Sequence, residues 1–212
     1  MKIDILTLFP NMFDGFKTES IIKRAIDSSS CQINAIDFRE FSPLNNKQVD
    51  DTIYGGGPGM LLRCEPIFEC IDKIRTEDSY IIILSPEGSI FSQEKAIDLS
   101  KKKHIIFICG HYEGFDERIK TLADEKISIG KFVLTGGEIP AMMISDAVIR
   151  LLPGVINSQS LESESFNDEY YDYPCYTKPR EYRGMNVPEV LINGNHAHIN
   201  KWREENRKKI DF

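Results

Sequence analysis

The chain has 212 residues, of which 41% are hydrophobic and 28% are charged. This is ordinary composition for a folded domain, and it excludes disordered, collagen-like and coiled-coil chains. The length accommodates one large domain and a small appendage. The formal net charge of −7 disfavours indiscriminate nucleic-acid binding, yet a local basic face could still contact phosphates, because residues 176–212 carry eight Lys/Arg against five Asp/Glu.

Short runs rich in Ile, Val and Phe alternate with amphipathic segments in the first part of the chain. The pattern predicts strands at 3–8, 31–38, 80–84, 105–109 and 132–134, and helices at 12–28, 66–75, 93–101, 116–122 and 138–152. The runs IIIL and IIFIC are apolar throughout, which is typical of strands covered by helices on both faces of a parallel sheet. We therefore predict an α/β fold over residues 1–156.

The rest of the chain has a different composition. Residues 157–175 contain no basic residue and no clear periodicity, which predicts an acidic flexible linker. Residues 188–193 and 196–208 predict two short helices separated by Gly194-Asn195. Residues 176–212 are thus expected to form a small helical domain. The five carboxylates of the predicted linker are Glu162, Glu164, Asp168, Glu169 and Asp172.

Several features bear on location and on metals. The longest apolar runs fall far short of the roughly 18 residues of a membrane span, and the start of the chain lacks the features of a signal peptide. The five cysteines are odd in number, scattered and never in a C-x-x-C pair, which argues against a disulfide framework or a zinc site. We expect a cytoplasmic protein with reduced, buried thiols, no membrane partner and no metal site.

Four loops that follow apolar runs combine glycine or proline with polar groups. They read IYGGGPGML at 53–61, SPEG at 85–88, GHYEGF at 110–115 and SIGKFVLTGGEIPAM at 128–142. Any one of them could be a simple turn. Because ligands gather at the carboxyl ends of strands in α/β sheets, and glycine lets the backbone approach a ligand closely, the four together favour a backbone-lined site. Neither the dinucleotide fingerprint nor a P-loop is present, which disfavours Rossmann dehydrogenases and P-loop enzymes.

Three of these segments resemble the signatures of a known family. YGGGPGM at 54–60, GHYEGFDER at 110–118 and SIGKFVLTGGEIPA at 128–141 are similar to motifs of the bacterial tRNA (guanine-N1)-methyltransferases, the TrmD family of the SPOUT class. LLPGV at 151–155, YPCYTKP at 173–179 and VPEVLINGNH at 187–196 extend the resemblance to nearly the whole chain.

The resemblance implies both a fold and an activity. The fold is a SPOUT-type parallel sheet threaded into a deep trefoil knot, which nothing in composition or spacing could reveal. The activity is transfer of the methyl group of S-adenosyl-methionine to N1 of the guanine 3′ of the anticodon in tRNA. A homodimer with a site shared between subunits, and possible use of magnesium, are implied as well.

The resemblance also places the methyl donor in a pocket made by the knot loops. Backbone groups there can hydrogen-bond an adenine edge, while apolar and aromatic side chains form the walls. For Glu113, capping of the following helix is an equally good interpretation. The residues implied to bind the donor are Leu84, Ser85, Pro86, Gly110, Tyr112, Glu113, Ser128, Ile129, Gly130, Lys131, Phe132, Val133, Leu134, Thr135, Gly136, Gly137 and Pro140.

Methylation of guanine N1 requires a base for its proton and a positive group near the carbonyl oxygen. The resemblance assigns the second role to Arg150, although a cation in the last turn of a helix is also favoured by the helix dipole. The family usually has aspartate before the Ser-Phe pair, whereas this chain has Glu164 before Ser165-Phe166. We predict that Glu164 is the base. The alternatives are that Glu164 is one more solvated acid and that Asp172 accepts the proton.

Other residues receive weaker assignments. The loop 54–60, with Asp50 and Asp51 beside it, either shapes the substrate side or is only a tight turn. His111 receives no chemical role. Relatives usually continue past the equivalent of Trp202 into a longer tail, so the chain that stops at Phe212 is either naturally short or cut. Candidate phosphate contacts in the C-terminal unit are Lys178, Arg180, Arg183, Lys201, Arg203, Arg207, Lys208 and Lys209.

Two other functions fit the same residues. The chain could be another SPOUT RNA methyltransferase, acting on the ribose 2′-O or a different base. It could also be a non-catalytic RNA-binding domain that keeps the glycine-rich loops but has lost its base. Mapping of the methylated atom separates the first alternative from the prediction, and a single-turnover methylation assay separates the second.

Overall fold

The computed structural model describes residues 1–157, 165–166 and 168–210. Contacts between residues divide the chain into two units, Met1–Ile156 and Asn157–Phe212.

The first unit is built on a parallel sheet and a separate hairpin. Their strands are β1 (Lys2–Thr7), β2 (Gln32–Asp37), β3 (Asp50–Thr52), β4 (Met60–Leu62), β5 (Ser79–Ile90), β6 (His104–Ile108) and β7 (Glu125–Ser128). The sheet has five strands in the order β2-β1-β6-β5-β7, with every neighbouring pair parallel. The hairpin of β3 and β4 is antiparallel.

Helices cover both faces of this sheet. They are α1 (Asp14–Thr18), α2 (Ser20–Asp27), α3 (Cys64–Ile74), α4 (Gln93–Ser100) and α5 (Glu138–Ile149), with 3-10 turns at Pro10–Phe13, Phe38–Phe41 and Glu117–Leu122. Ile82 and Phe107 pack in one core cluster with residues of α2, α4 and α5. Ile83 and Ile106 pack in the second cluster with residues of α3. The prediction of a parallel α/β sheet is confirmed, since successive residues of β5 and β6 are buried on opposite faces.

Some local predictions are wrong. Residues 132–134 do not form a strand but an exposed bend, and Val133 is 84% exposed. The last strand of the sheet is β7, which was not predicted because it is a short edge strand that includes Glu125 and Lys126. The predicted helix 12–28 is interrupted at Glu19, whose backbone is extended. The predicted helix 116–122 is a 3-10 turn.

Strand β5 is longer than the apolar run that predicted it. It continues through Ile90 because β7 pairs with it twice, so that Ile127 lies opposite both Leu84 and Ser89. The register shift between these pairs leaves residues 85–88 as a bulge. Such bulges re-aim the chain at the edges of sheets and next to binding sites.

Over its described residues, the second unit contains a short hairpin and one regular helix. The strands are β8 (Glu181–Tyr182) and β9 (Met185–Asn186), followed by a 3-10 turn at Glu189–Leu191 and by α6 (His196–Glu205). The hairpin was not predicted. Its turn residues Arg183 and Gly184 both have positive φ, as a two-residue hairpin turn of type I′ requires. The predicted helix 188–193 is only the 3-10 turn, whereas α6 accounts for most of the helix predicted at 196–208.

The predicted linker 157–175 lies partly outside the described residues, and both Glu162 and Glu164 fall there. Its later part is bonded to the C-terminal end of the second unit. Asp168 accepts two hydrogen bonds of 2.7 Å from the Arg207 guanidinium. The Tyr171 amide donates to the carbonyl oxygen of Lys208 at 2.9 Å. Residues 168–171 are therefore held by specific contacts.

All five cysteines are free thiols, but the expectation that all are buried is wrong for two of them. Cys175 is exposed and Cys64 is half-buried. Over the residues that the structure describes, no helix is both long and apolar enough to cross a membrane.

Candidate active site

A cavity of about 430 Å³ lies at the carboxyl edge of the sheet, next to the ends of β6 and β7 and the bulge of β5. Its volume is within the usual range of small-molecule sites, and its position is where open α/β sheets bind ligands. The lining comes from the loops that the sequence singled out, at 84–87, 110–115 and 127–137, with Lys120 and Pro140 beside them.

Most of the predicted donor residues line this cavity. Gly130 and Lys131 do not, and they line a neighbouring cavity together with Gly88 and Ile90. The predicted residues in the main cavity are Leu84, Ser85, Pro86, Gly110, Tyr112, Glu113, Ser128, Ile129, Phe132, Val133, Leu134, Thr135, Gly136, Gly137 and Pro140.

Six lining residues were not predicted: Glu87, His111, Gly114, Phe115, Lys120 and Ile127. All but Lys120 and Ile127 lie inside the glycine-containing loops, so the loops themselves were the available signal. Lys120 belongs to the 3-10 turn after the 110–115 loop, and its ammonium lies 3.1 Å from the Glu87 carboxylate. That contact joins residues 33 positions apart, and no local pattern reveals it.

Two of the loops touch each other directly. The Gly137 amide donates to the Gly110 carbonyl oxygen at 3.1 Å. A Cβ atom added at Gly137 would lie 2.7 Å from the Cα atom of Cys109 and 3.1 Å from the Gly110 nitrogen. Glycine at 137 is therefore required for close packing of the two turns, quite apart from any ligand.

The rim of the cavity carries charges and the walls are apolar. Hydrogen bonds from Lys120 and Lys126 lower the pKa of Glu87, which keeps this carboxylate ionised. Leu134 and Phe132 present apolar surface, with Phe132 about half exposed. This arrangement suits a ligand that has a flat apolar part and a charged end.

Two buried cysteines of the first unit, of which Cys109 adjoins this site, are chemically shielded. Burial raises the pKa of Cys109, which directly precedes Gly110, well above its ordinary value, and burial raises the pKa of Cys70 to about 12. Because the thiolate is the reactive form, we expect iodoacetamide at pH 8 to modify exposed Cys175 in the native protein while Cys70 and Cys109 stay unmodified. Peptide mass spectrometry checks this. If Cys109 were modified as fast as Cys175, Cys109 would not be buried in the native protein.

The candidate catalytic residues are placed differently. Arg150 caps the C-terminus of α5, and its amide donates to the Asp146 carbonyl oxygen at 3.1 Å. The cavity touches the opposite end of α5, near Gly137 and Pro140. At a rise of about 1.5 Å per residue, Arg150 lies about 18 Å along the helix axis from Glu138. Arg150 does not line the cavity of its own chain.

The two candidate bases are in the second unit. Glu164 lies outside the described residues. Asp172 is exposed, its carboxylate accepts from the Tyr173 amide at 2.8 Å, and its own amide donates to Ser165 Oγ at 3.0 Å.

Glu113 lines the cavity and does not cap the following turn. That cap is Asp116, whose carboxylate accepts from the Arg118 amide at 2.9 Å, so the capping interpretation of Glu113 is wrong. The Glu113 amide donates to the Met60 carbonyl oxygen at 3.0 Å. A Cβ at Gly59 would collide with the Glu113 side chain. The glycine-rich loop after Tyr54 thus packs against the 110–115 turn.

The loop 54–60 connects β3 and β4 and is exposed along its length, with Tyr54 fully accessible. Strand β4, which follows this loop, is hydrogen-bonded to the 110–115 turn, because the Leu62 amide donates to the Gly114 carbonyl oxygen at 3.0 Å. Asp51 forms an ion pair with Arg63 at 2.8 Å. This contact gives Asp51 a structural role in the hairpin.

Four basic residues in the described part of the second unit form ion pairs, and the others there do not. Arg180 pairs with Glu189, Lys201 with Glu205, Arg207 with Asp168 and Lys209 with Glu169. Arg203 lies over the ring of Tyr173, and Arg183 lies over the ring of Tyr182. Within the described ranges, Lys178, Arg183, Arg203 and Lys208 form no ion pair. Of these four, Lys178, Arg183 and Lys208 are exposed, so their charges are the most available to phosphates. In the part of the chain that the structure describes, no group of three or more His, Cys, Asp or Glu side chains could hold a metal ion.

Comparison with known proteins covers the chain almost end to end. A family model described as tRNA (Guanine-1)-methyltransferase TrmD matches residues 1–210. The tRNA (guanine-N(1)-)-methyltransferases of Staphylococcus aureus strains JH9 and Newman are each 52% identical over 210 residues, which is 98% of this chain and 86% of each relative. The matched region includes every loop that lines the cavity.

Proposed function

Since the chain belongs to the tRNA (guanine-1)-methyltransferase TrmD family, we propose that it transfers the methyl group of S-adenosyl-methionine to N1 of the guanine 3′ of the anticodon in tRNA. The observation that carries the proposal is the cavity at the carboxyl edge of the sheet, which is lined by the loops that bear the family's motifs. Membership of this family implies the SPOUT fold and S-adenosyl-methionine as the methyl donor.

The residues around the cavity fit this donor. An added Cβ at Gly110 would collide with the ring of Phe115, and one at Gly130 with the ring of Phe132. Glycine at these positions therefore lets each ring pack directly against the backbone. Leu134 and Phe132 offer apolar surface for an adenine. Glu113 places negative charge at the cavity, which suits the sulfonium and ammonium groups of the donor, and the paired Lys120 and Glu87 place both signs of charge beside it.

In the proposed reaction, guanine N1 attacks the methyl carbon while the carbon–sulfur bond breaks. S-adenosyl-methionine supplies the activated methyl group and leaves as S-adenosyl-homocysteine. The N1 proton passes to the Glu164 carboxylate, with Asp172 as the alternative acceptor. Arg150 donates hydrogen bonds to the guanine carbonyl oxygen, where negative charge accumulates.

We place Arg150 at the cavity of a second copy of the chain. Two observations support a homodimer with a shared site. Arg150 is about 18 Å along α5 from the cavity end of its own helix. In addition, Ile139 and Met143 are exposed large hydrophobics on the face of α5 that also carries Arg150, following the i, i+4, i+11 spacing of one helix face. An apolar helix face of this kind is suited to pack against an identical face.

Mixing two inactive variants tests the shared site. We expect Arg150→Ala to lower the rate of methyl transfer by about 10²- to 10³-fold, and Gly137→Ala to lose donor binding. Mixed dimers would contain one intact site, so random exchange of subunits should restore about a quarter of wild-type activity. Absence of any recovery, with mixed dimers demonstrated by differential tagging, would contradict the shared site.

The finer details of the fold belong to this proposal as well. We propose that the chain around 129–137 forms a deep trefoil knot. In support, β7 pairs at the far edge of the sheet beyond β5, yet the chain that leaves it returns to the end of β6, where Gly137 is bonded to Gly110. We also propose that the second unit, with α6 and the β8–β9 hairpin, binds tRNA.

A methylation assay tests the proposed function. Labelled S-adenosyl-methionine is incubated at single turnover with an unmodified tRNA transcript that has guanine 3′ of the anticodon, and the methylated atom is mapped. We expect N1-methylguanine at that position and no transfer to a transcript with adenine there. A 2′-O-methyl product would favour another SPOUT methyltransferase. Binding of tRNA without transfer at saturation would favour a non-catalytic RNA-binding domain.

The salt dependence of tRNA binding tests the second unit. We expect replacement of Lys178, Arg183 and Lys208 by alanine to lower affinity and to reduce the slope of log affinity against log salt by about 1 per lost phosphate contact. The matched control replaces Arg180, Lys201 and Lys209, whose charges are paired within the unit. An equal change of slope in both triple variants would argue against this assignment.

The cytoplasmic location and the use of magnesium stay predictions. We assign no residue to magnesium, and no step of the proposed reaction depends on it.

A further inference from the structure

A buried carboxylate next to the cavity has no part in the proposed reaction. Glu138, the first residue of α5, is only 2% exposed. It accepts a hydrogen bond from Thr7 Oγ1 at 2.7 Å, and the His111 Nε2 atom lies 2.9 and 2.8 Å from its two oxygens. Because a carboxylate only accepts, we assign the hydrogen of this pair to Nε2. Burial of a carboxylate is costly unless such partners compensate it.

Glu138 and its two partners come from three separate segments. Thr7 ends β1, His111 lies in the turn after β6, and Glu138 directly follows the turn 134–137. The last two turns both line the cavity. The Phe9 amide also donates to Thr7 Oγ1 at 2.9 Å, and the Phe9 ring contacts the His111 ring edge-on with 4.9 Å between centroids. The carboxylate thus ties two walls of the cavity to each other and to the sheet.

Steric contacts reinforce this tie. An added Cβ at Gly136 would collide with the imidazole of His111 and the carboxylate of Glu138. The neighbouring Gly137 amide is bonded to the Gly110 carbonyl oxygen. The separation of the two turns is therefore determined by a charged hydrogen-bonded pair and a backbone hydrogen bond side by side.

We propose that His111 and Glu138 are positioning residues that hold the two donor-binding turns at the spacing the methyl donor requires. This inference rests on the proposed function. Neither side chain needs to touch the reacting atoms. Loss of the pair would let the turns separate, so the protein would bind the donor less tightly while the chemistry of bound substrates is retained.

The chain contains a matched control at the other end of the same strands. Asp4 in β1 is 1% exposed and lies 2.9 Å from Nε2 of His104, the first residue of β6. Ser79 Oγ lies 2.7 Å from Nδ1 of His104. This second buried carboxylate–imidazole pair lies at the amino end of the sheet, away from the cavity, so its loss should affect stability alone.

Calorimetric titration with S-adenosyl-homocysteine tests the inference directly. We expect Glu138→Gln and His111→Ala to weaken binding about tenfold or more, since hydrogen bonds to charged groups are the strong ones. His111→Arg, which still donates to both carboxylate oxygens, should stay within about threefold of wild type. Asp4→Asn should lower the melting temperature and leave the affinity unchanged.

Steady-state kinetics gives a second readout. Glu138→Gln should raise KM for the donor and leave kcat at saturating donor close to wild type, a split that a general loss of folded protein does not produce. Wild-type affinity in Glu138→Gln, or equal weakening in Asp4→Asn, would overturn the inference. If the unmodified protein binds no S-adenosyl-homocysteine, the proposed function itself fails, which is a distinct result.

Discussion

Replacement of Gly137 by alanine is expected to abolish measurable binding of S-adenosyl-homocysteine and to lower the free energy of unfolding by about 1–3 kcal/mol. The added Cβ would lie 2.7 Å from the Cα atom of Cys109. A backbone atom cannot rotate away as a side chain can, so the turns 110–115 and 134–137 must separate. The φ angle of Gly137 is −85°, which alanine adopts readily, so the effect is purely steric.

Gly15 provides the control for this substitution. It lies in α1, and an added Cβ there has no atom within 4 Å. Gly15→Ala should therefore leave donor affinity unchanged and stabilise the fold by up to about 1 kcal/mol, since alanine is the better helix former. Denaturant unfolding and calorimetric titration measure both effects. Wild-type donor affinity in Gly137→Ala would show that the contact of the two turns does not shape the site.

Replacement of Glu164 by glutamine is expected to lower the rate of methyl transfer by about 10²- to 10⁴-fold, the usual contribution of a general base. Donor binding should be nearly intact, because the amide keeps the size of the side chain but cannot accept the N1 proton. Single-turnover transfer to a tRNA transcript measures the rate, and titration with S-adenosyl-homocysteine measures the affinity.

Two further variants make this prediction specific. Asp172→Asn removes the alternative base, and it should have little effect if Glu164 accepts the proton. Glu164→Asp restores the residue usual in the family and should retain transfer, although the shorter side chain alters its reach. Wild-type turnover in Glu164→Gln together with loss of transfer in Asp172→Asn would move the role to Asp172.

The apolar runs 80–84 and 105–109 were enough to predict a parallel sheet covered on both faces, because burial on two sides leaves no polar position in a strand. Edge strand β7 was missed because it is not buried on both sides along its whole length. Its Glu125 and Lys126 are half-buried charged residues, so that segment has no continuous apolar run. The local pattern therefore identified the strands that contain apolar runs, including edge strand β2, and missed the charged edge strand β7.

The site shows a similar division. Glycine and proline in loops after strands identified most of the segments around the cavity, since these residues mark turns wherever they occur. His111, by contrast, received no role from sequence, and Glu138 was considered only as the start of a helix. Their pairing became visible only when the fold brought residues 27 positions apart within hydrogen-bond distance.

By itself, the sequence determined the α/β class, the loops that form the cavity and, through its motifs, the family. The tertiary structure alone decided that Glu138 joins Thr7 to His111, that Gly137 must lie against Cys109, and that Arg150 is at the far end of α5 from the cavity of its own chain. The physical reason is the separation along the chain of the residues that interact. Periodicity and turn chemistry are set by neighbours along the chain, whereas hydrogen bonds and steric contacts between distant segments depend on how the strands and helices pack in space.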